Sequence, residues 1–274
     1  MEPSLYSFPT APSLSLMRLL PILLGAAALL GAAETAPLDH AKYAAALKAF
    51  RQGAGATVAA LSDPSPETRR AAVDDLRERL VDEPTSPLAA QIGGALGKVD
   101  VETARLLLAA LAEAKATTTA PQVAALAAKK DSPLQAEAAL ALAEIGGAKA
   151  VPILAALAQE EAIAEEIVAA LAKAAGPGVT DAFNAGIADA KLGVAGRTAL
   201  IKAAIVRNNR AVAPALCPLL AEDAMRLEAQ KALLKLARPE DTPALKAALG
   251  GVKNAATKAA MERLIAKLEK PSDK

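Results

Sequence analysis

The sequence feature that most constrains the fold is a two-helix pattern in Asp131–Gln159, spelled DSPLQAEAALALAEIGGAKAVPILAALAQ. Its first half predicts an amphipathic helix, because apolar residues recur there at helical spacing. These residues are Leu134, Ala138, Ala141, Leu142 and Ile145. A proline follows Ser132, and Gln135 stands three residues after the serine, so we expect a capping box at the start of this helix.

The second half of the same segment predicts a second helix. Gly146 and Gly147 supply the positive φ that ends a helix at little steric cost. Pro152 fits the first turn of the helix that follows, where its missing N–H costs little. Leu154 and Leu157 then form an apolar stripe. The segment is therefore predicted to be a helical hairpin with one apolar side.

A hairpin of this size cannot bury its apolar side alone and needs a copy on each side. Such copies appear when the sequence is shifted along itself: a shift of 91 carries Glu137 to Glu228 and Leu142 to Leu233. The starts of the second helices recur about every 30 residues, at Pro121, Pro152, Asp181, Pro214 and Pro243. A period of this length indicates stacked helical repeats. We therefore predict an all-α fold, an α-solenoid of about six to seven antiparallel helix pairs.

The repeat unit resembles the short HEAT-like repeats of the type also found in phycobilisome lyases. The resemblance rests on DSPLQAEAALALAEIG followed by AVPILAAL, and on SDPSPETRRAAVDDLRERL at Ser62–Leu80, and it covers roughly residues 40 to 270. It implies an armadillo-like helical superhelix. Such repeats occur in scaffolds, adaptors and a few enzymes, so the resemblance implies a fold more than an activity.

Composition agrees with a narrow helical core. Aromatic residues make up only 2% of the chain and tryptophan is absent, so the helices must pack closely on alanine and leucine. No stretch alternates β-branched and aromatic residues with polar ones, as a strand would. The net charge of +1 argues against bulk electrostatic attraction to nucleic acid. The single cysteine excludes an intramolecular disulfide, and the single histidine excludes a site with several histidine ligands.

The beginning of the chain resembles a secretory signal peptide. Arg18 precedes the apolar run Leu19–Leu30, and Gly31, Ala32 and Ala33 supply small residues for cleavage. We expect residues 1–33 to be the signal peptide, with Met17 as the true start and the first sixteen residues an over-extension. The alternative is a short membrane anchor, although the run is shorter than the roughly 20 residues that span a bilayer. Residues 34–270 would then form the solenoid and 271–274 a frayed tail.

Predicted helices alternate with Gly, Pro, Ser and Asn breaks along the mature chain. We call Asp131–Gln159 the reference hairpin. The expected helices are Leu38–Arg51, Thr57–Leu61, Glu67–Val81, Pro87–Leu96, Val101–Lys115, Pro121–Lys130, the two of the reference hairpin, Glu161–Ala175, Val179–Ala190, Val194–Val206, Ala211–Leu220, Asp223–Ala237, Thr242–Leu249 and Lys253–Glu269. The last of these carries charged residues suited to the polar outer face of a C-terminal cap.

No set of residues predicts catalysis. His40 is far in sequence from any candidate nucleophile, and Cys217 lies between apolar residues, as a buried cysteine usually does. Adjacent carboxylates stand at helix ends or on charged faces, where the helix dipole explains them. Phosphate-binding and zinc-hydrolase motifs are missing from the sequence. We therefore expect no enzyme activity and predict no catalytic, cofactor-binding or metal-binding residue.

The predicted function is that of a scaffold or adaptor, exported to the bacterial periplasm or outside the cell, which binds a protein or peptide along the concave face. The candidate contact residues are Gln122, Lys149, Asn184, Arg207, Asn208, Asn209, Arg210 and Lys246. We expect a monomer with no membrane span after signal cleavage. Nucleic acid is disfavoured, because the two basic clusters, at 69–79 and 207–210, have no neighbouring aromatic residues in sequence. The alternatives are chromophore attachment or an enzyme-accessory role, as in phycobilisome lyases, and a structural role in an envelope assembly.

Overall fold

The structure is a computed structural model that describes residues 38–52 and 56–270. The predicted signal peptide and the predicted frayed tail lie outside these residues. The chain forms a compact unit that begins at His40. Its fourteen α-helices are α1 His40–Gln52, α2 Pro66–Asp82, α3 Pro87–Ala95, α4 Val101–Glu113, α5 Ala120–Ala127, α6 Gln135–Ile145, α7 Gly147–Leu157, α8 Ala164–Lys173, α9 Val179–Ala188, α10 Gly193–Val206, α11 Ala213–Leu216, α12 Arg226–Leu236, α13 Thr242–Leu249 and α14 Ala255–Leu268.

The unit is all-α, as predicted, and the described residues contain no strand. None of their helices is long and apolar enough to cross a membrane. Short 3-10 helices precede or follow several of the α-helices, at Ala59–Ser62, Thr117–Thr119, Glu161–Ile163, Ala190–Leu192, Arg210–Val212, Pro218–Ala221 and Pro239–Asp241.

The helices pack in two interleaved sets. In the first set, α2, α4, α6, α8, α10, α12 and α14 each contact the next member of the set. In the second set, α3, α5, α7, α9 and α11 do the same, and α13 packs against the 3-10 helix Pro218–Ala221 that continues α11. We call these sets the first helices and the second helices. Each second helix also contacts a first helix that adjoins it in sequence.

The core lies between the two sets and is built from small and medium side chains. Its buried residues form one cluster that extends from Phe50 to Ile265. In the reference hairpin, Leu142 is 1% exposed, Ile145 is 2% exposed and Leu154 is fully buried, as their spacing predicted. Burying a leucine of this kind contributes about 1.5–3 kcal/mol, so regularly spaced leucines and alanines can hold this unit together without large aromatic side chains.

A serine followed directly by a proline precedes both α2 and α3, but only the first of them caps its helix, since the Ser86 side chain makes no capping hydrogen bond. Ser65 accepts a hydrogen bond from the Thr68 amide at 3.2 Å and begins α2. The capping box predicted at Ser132 is wrong, because Asp131 adopts a positive φ of 59° and the chain turns again before α6 begins at Gln135. The Gln135 amide group instead donates to Glu160 Oε2 at 3.0 Å.

The start of the second helix in the reference hairpin also differs from the prediction. Gly147 has a φ of 53°, which lets the chain turn and re-enter a helix immediately. As a result α7 begins at Gly147, and Pro152 lies inside the helix rather than in its first turn. In α5, α11 and α13 a 3-10 turn occupies the equivalent place, and the proline stands at the first or second helical position.

Other boundaries follow the predicted breaks closely. Gly176 and Gly178 both have positive φ and separate α8 from α9. The helix predicted at Thr57–Leu61 is a 3-10 helix at Ala59–Ser62, and the predicted Ala211–Leu220 helix is interrupted at Pro218. The closing helix α14 is capped by Asn254, which accepts from the Thr257 amide at 2.9 Å. Its Lys258, Glu262, Arg263 and Lys267 are exposed, as an outer face requires.

Candidate functional site

One exposed stripe recurs on the second helices. Two positions one helical turn apart are exposed in each of five successive repeats, and the residues there are mostly proline and alanine. The pairs are Pro121 and Ala125, Pro152 and Ala156, Asp181 and Ala185, Pro214 and Pro218, and Pro243 and Ala247. We call these ten residues the second-helix stripe. Because alanine and proline lose almost no rotamer entropy on burial, such a surface is well suited to being covered by a partner.

The first helices present a different surface, on which charges are paired between neighbouring repeats. Arg105 Nε lies 2.9 Å from Glu137 Oε1, which joins α4 to α6. Lys115 beyond the end of α4 pairs with Glu144 of α6 at 2.5 Å. Each of these pairs is partly exposed and contributes at most about 1 kcal/mol. Their charges are satisfied within the chain and are therefore poor candidates for partner contacts.

A second polar contact, a hydrogen bond from a first helix to a glutamate in the next inter-repeat loop, recurs near the start of the first helices. Gln135 donates to Glu160, and the equivalent residue two repeats later, Arg197, donates to Glu222 through Nη1 at 2.7 Å and Nη2 at 3.1 Å. Arg197 is only 5% exposed, and its Nε also donates to the Ile187 carbonyl. The hydrogen bond from Arg197 lowers the pKa of the Glu222 carboxyl. These side chains hold the loop between one repeat and the next.

The pairing of these side chains with Glu160 and Glu222 is also visible in the sequence. A shift of 62 carries Gln135 to Arg197 and Glu160 to Glu222, so both partners of the pair recur together. The helix dipole explains Glu222 only as a charge near a helix end.

Three of the predicted contact residues are exposed on second helices. Gln122 follows Pro121 in α5, Lys149 lies in the first turn of α7, and Lys246 lies in α13. Lys246 pairs with Glu269, which follows α14, at 2.5 Å. Gln122 therefore borders the second-helix stripe, whereas the Lys246 charge is already partnered within the chain.

The other five predicted residues are brought together at one place. The Arg207 guanidinium lies over the Phe183 ring, 5.3 Å from its centroid, and Asn184 is the next residue in α9. The 3-10 helix that begins at Arg210 packs against the same α9. Asn208 adopts a positive φ of 52°, and its Oδ1 accepts from Arg210 Nε at 3.2 Å. Prediction from sequence could not show that α9 and the loop 207–210 adjoin.

Within this group, Arg207 has a role inside the fold. Its Nη1 donates to the carbonyls of Ala172 at 2.9 Å and of Ala174, at the C-terminal end of α8. These carbonyls lie in the last turn, where a helix lacks partners for its own acceptors. Burial lowers the pKa of Arg207. The Asn184 Oδ1 and Asn209 Nδ2 atoms are also buried, so Asn208 and Arg210 are the members most available to a partner.

The residues considered for catalysis lie apart from one another. His40 is exposed on α1. Cys217 is buried, its Sγ donates to the Ala213 carbonyl at 3.3 Å, and burial raises the pKa of its thiol to about 11. Among the described residues there is no cluster of three His, Cys, Asp or Glu side chains that could hold a metal ion.

Comparisons with known proteins do not add a family. No family model, no curated protein and no solved structure matches the chain. The resemblance to HEAT-like repeats therefore rests on the residues quoted for it above.

Proposed function

We propose that the chain is an exported α-solenoid of the HEAT-like kind, and that it binds a protein or peptide partner along the second-helix stripe. The solenoid arrangement is supported by the order of packing, since each first helix contacts the next first helix from α2 to α14. Repeats stacked in order give a long surface made of equivalent positions. The second helices then form the concave side of the stack.

The observation that carries the proposal is the contrast between the two sets of helices. The first helices α2, α4 and α6 carry charges that pair across repeats, whereas the stripe positions of the second helices are exposed and, apart from Asp181, uncharged. Covering proline and alanine costs little desolvation and little side-chain entropy. In this proposal the scaffold works as a monomer in the periplasm or outside the cell and has no catalytic role. Nothing in the described residues favours bilin attachment.

The proposal can be tested by placing bulky charge on the stripe. Ala125, Ala156 and Ala185 are exposed, so a triple variant with arginine at these positions should fold normally. With the full chain as bait in native envelope extract, the unchanged protein should recover a specific partner that the stripe variant fails to recover.

The matched control places the same three charges on the first helices. Ala109 in α4, Ala195 in α10 and Ala266 in α14 are also exposed, and arginine at these positions should leave partner recovery unchanged. Equal recovery by the stripe variant and the unchanged protein would contradict the proposal. Loss of recovery in both variants would mean that added charge, and not the stripe, controls binding.

A further inference from the structure

Three segments that lead from a first helix into the following second helix lie side by side. They are 146–149, which includes the first turn of α7, 174–178 and 207–210, and we call them the three loops. Loop 146–149 touches loop 174–178, since a Cβ placed on Gly178 would lie 3.5 Å from the Ala148 Cβ. Loop 207–210 reaches the same region, because Arg207 Nη1 donates to the Ala172 and Ala174 carbonyls. The three loops therefore form one continuous edge of three successive repeats.

This edge carries cations that have no carboxylate partner in the described part of the chain, although Arg210 bonds to the Asn208 side chain. Lys149, Lys173 and Arg210 are exposed, and none of them takes part in an ion pair with another described residue. We call these three residues the basic edge. The nearest exposed carboxylate in sequence is Asp181, in the first turn of α9. The three loops themselves contain no acidic residue.

The opposite ends of the same helices carry the opposite charge. Loops 158–163, 189–192 and 221–225 join one repeat to the next and are rich in carboxylates. Against the single cation Lys191 they hold Glu160, Glu161, Asp189, Glu222 and Asp223. The central repeats therefore have one basic edge and one acidic edge, although the chain as a whole is nearly neutral.

Stability of the fold does not account for the whole basic edge. Lys173 lies in the last turn of α8, where the helix dipole favours a cation. Lys149, however, lies in the first turn of the eleven-residue helix α7, where the dipole disfavours one. An unpaired cation in that position lowers the stability of the fold slightly. Contact with another molecule would explain why Lys149 is there.

We propose that the basic edge binds an acidic segment of a protein partner in extended conformation. The inference rests on the proposed function, because the stripe residues Pro152, Asp181 and Pro214 follow these loops directly and the same partner would cover both. Neighbouring helices lie about 8–10 Å apart. A chain in the extended polyproline II conformation advances about 3.1 Å per residue and has three residues per turn, so every third side chain points the same way. Carboxylates at every third residue of the partner therefore match cations on successive repeats.

The surroundings of the basic edge favour a peptide over other anionic partners. The aromatic ring beside it, Phe183, is fully buried beneath Arg207, so no ring is available to stack on a nucleic-acid base. The three loops contain only Gly, Ala, Pro, Asn, Lys and Arg and therefore offer no large apolar side chain for insertion into a lipid surface. The backbone exposed at the glycines can instead form hydrogen bonds with an extended peptide.

The test uses the full chain and a fluorescent twelve-residue peptide of Asp, Gly, Ser and Thr with aspartate at every third position. A second peptide has the same composition with its aspartates adjacent. Fluorescence anisotropy at low ionic strength should show tighter binding of the periodic peptide. Raising the salt to 1 M should remove the binding, because the screening length falls to about 3 Å.

Charge reversal identifies the surface. The triple variant Lys149→Glu, Lys173→Glu and Arg210→Glu should weaken binding of the periodic peptide by about tenfold or more. The matched control reverses three exposed cations elsewhere, Lys98, Lys202 and Lys258, and changes the net charge equally. The control should bind the periodic peptide as the unchanged chain does.

Several outcomes would overturn the inference. Equal weakening in both triple variants would mean that net charge alone attracts the peptide. Equal binding of the two peptides would contradict the proposed match between every third carboxylate and the cations of successive repeats. If vesicles containing phosphatidylserine bind the unchanged chain and not the basic-edge variant, while neither peptide binds, the basic edge is a lipid contact. The proposed function is tested separately, because partner recovery can still depend on the stripe when the peptide fails to bind.

Discussion

Replacement of Arg207 by methionine tests whether a side chain from one repeat stabilises the helix end of the preceding repeat. Methionine keeps most of the length and volume of the arginine stem and removes the guanidinium. The variant loses the hydrogen bonds from Nη1 to the Ala172 and Ala174 carbonyls and the contact with the Phe183 ring. The last-turn carbonyls of α8 are then left without this donor.

The expected loss can be worked out from these contacts. A hydrogen bond from a charged group contributes about 1.5–3 kcal/mol, and a cation over an aromatic ring contributes about 0.5–1 kcal/mol at a partly exposed site. The two hydrogen bonds share one nitrogen and do not add fully, so we expect a decrease in the free energy of unfolding of about 3 kcal/mol. For a domain of this size that lowers the Tm by about 6–12 °C.

Urea unfolding followed by circular dichroism at 222 nm, together with a thermal scan, measures this change. Arg210→Met is the matched control, because Arg210 is exposed three residues later and bonds only to the neighbouring Asn208 side chain. The control should change the free energy of unfolding by less than about 0.5 kcal/mol. If Arg207→Met and Arg210→Met have the same stability, the proposed role of Arg207 at the end of α8 is incorrect.

Two further predictions concern the core. Leu142→Asp buries an unpaired charge among the apolar residues between the helices and should unfold the chain or reduce its stability by more than about 4 kcal/mol. The control Ile153→Asp, at a site 38% exposed, should have a much smaller effect. An unchanged Tm for Leu142→Asp would refute this packing of the helices. Cys217 is 3% exposed and has a thiol pKa raised to about 11, so Ellman's reagent at pH 8 should leave the native chain unmodified and react fully in urea. Rapid reaction of the native chain would contradict the burial of this thiol.

The two surfaces proposed for binding lie on the same set of repeats but differ in chemistry. The second-helix stripe consists mainly of proline and alanine, and the basic edge consists of cations in or beside the segments that lead from first to second helices. A partner that uses both would combine an apolar contact surface with an acidic extended segment. The apolar contact would supply most of the affinity, whereas the charged edge would supply orientation and association rate.

Sequence alone predicted the helical class and most helix positions, because both depend on local spacing. Apolar residues at intervals of three and four predicted the buried positions Leu142, Ile145 and Leu154 correctly. Glycine at the predicted breaks supplies positive φ at Gly147, Gly176 and Gly178. The period of about 30 residues also anticipated that each first helix would contact the next, since equivalent apolar faces must cover one another.

Tertiary structure decided what the long polar side chains do. Gln135 was expected to cap its own helix, but it donates to Glu160 at the next loop, because the chain makes an additional turn after Asp131. Arg207 is a predicted partner contact, and the packed structure adds that its guanidinium bonds to carbonyls more than thirty residues earlier in the chain. Local spacing specifies which face of a helix is buried. Which atoms a flexible side chain reaches depends on the neighbouring repeat, and that information appears only when the repeats are packed together.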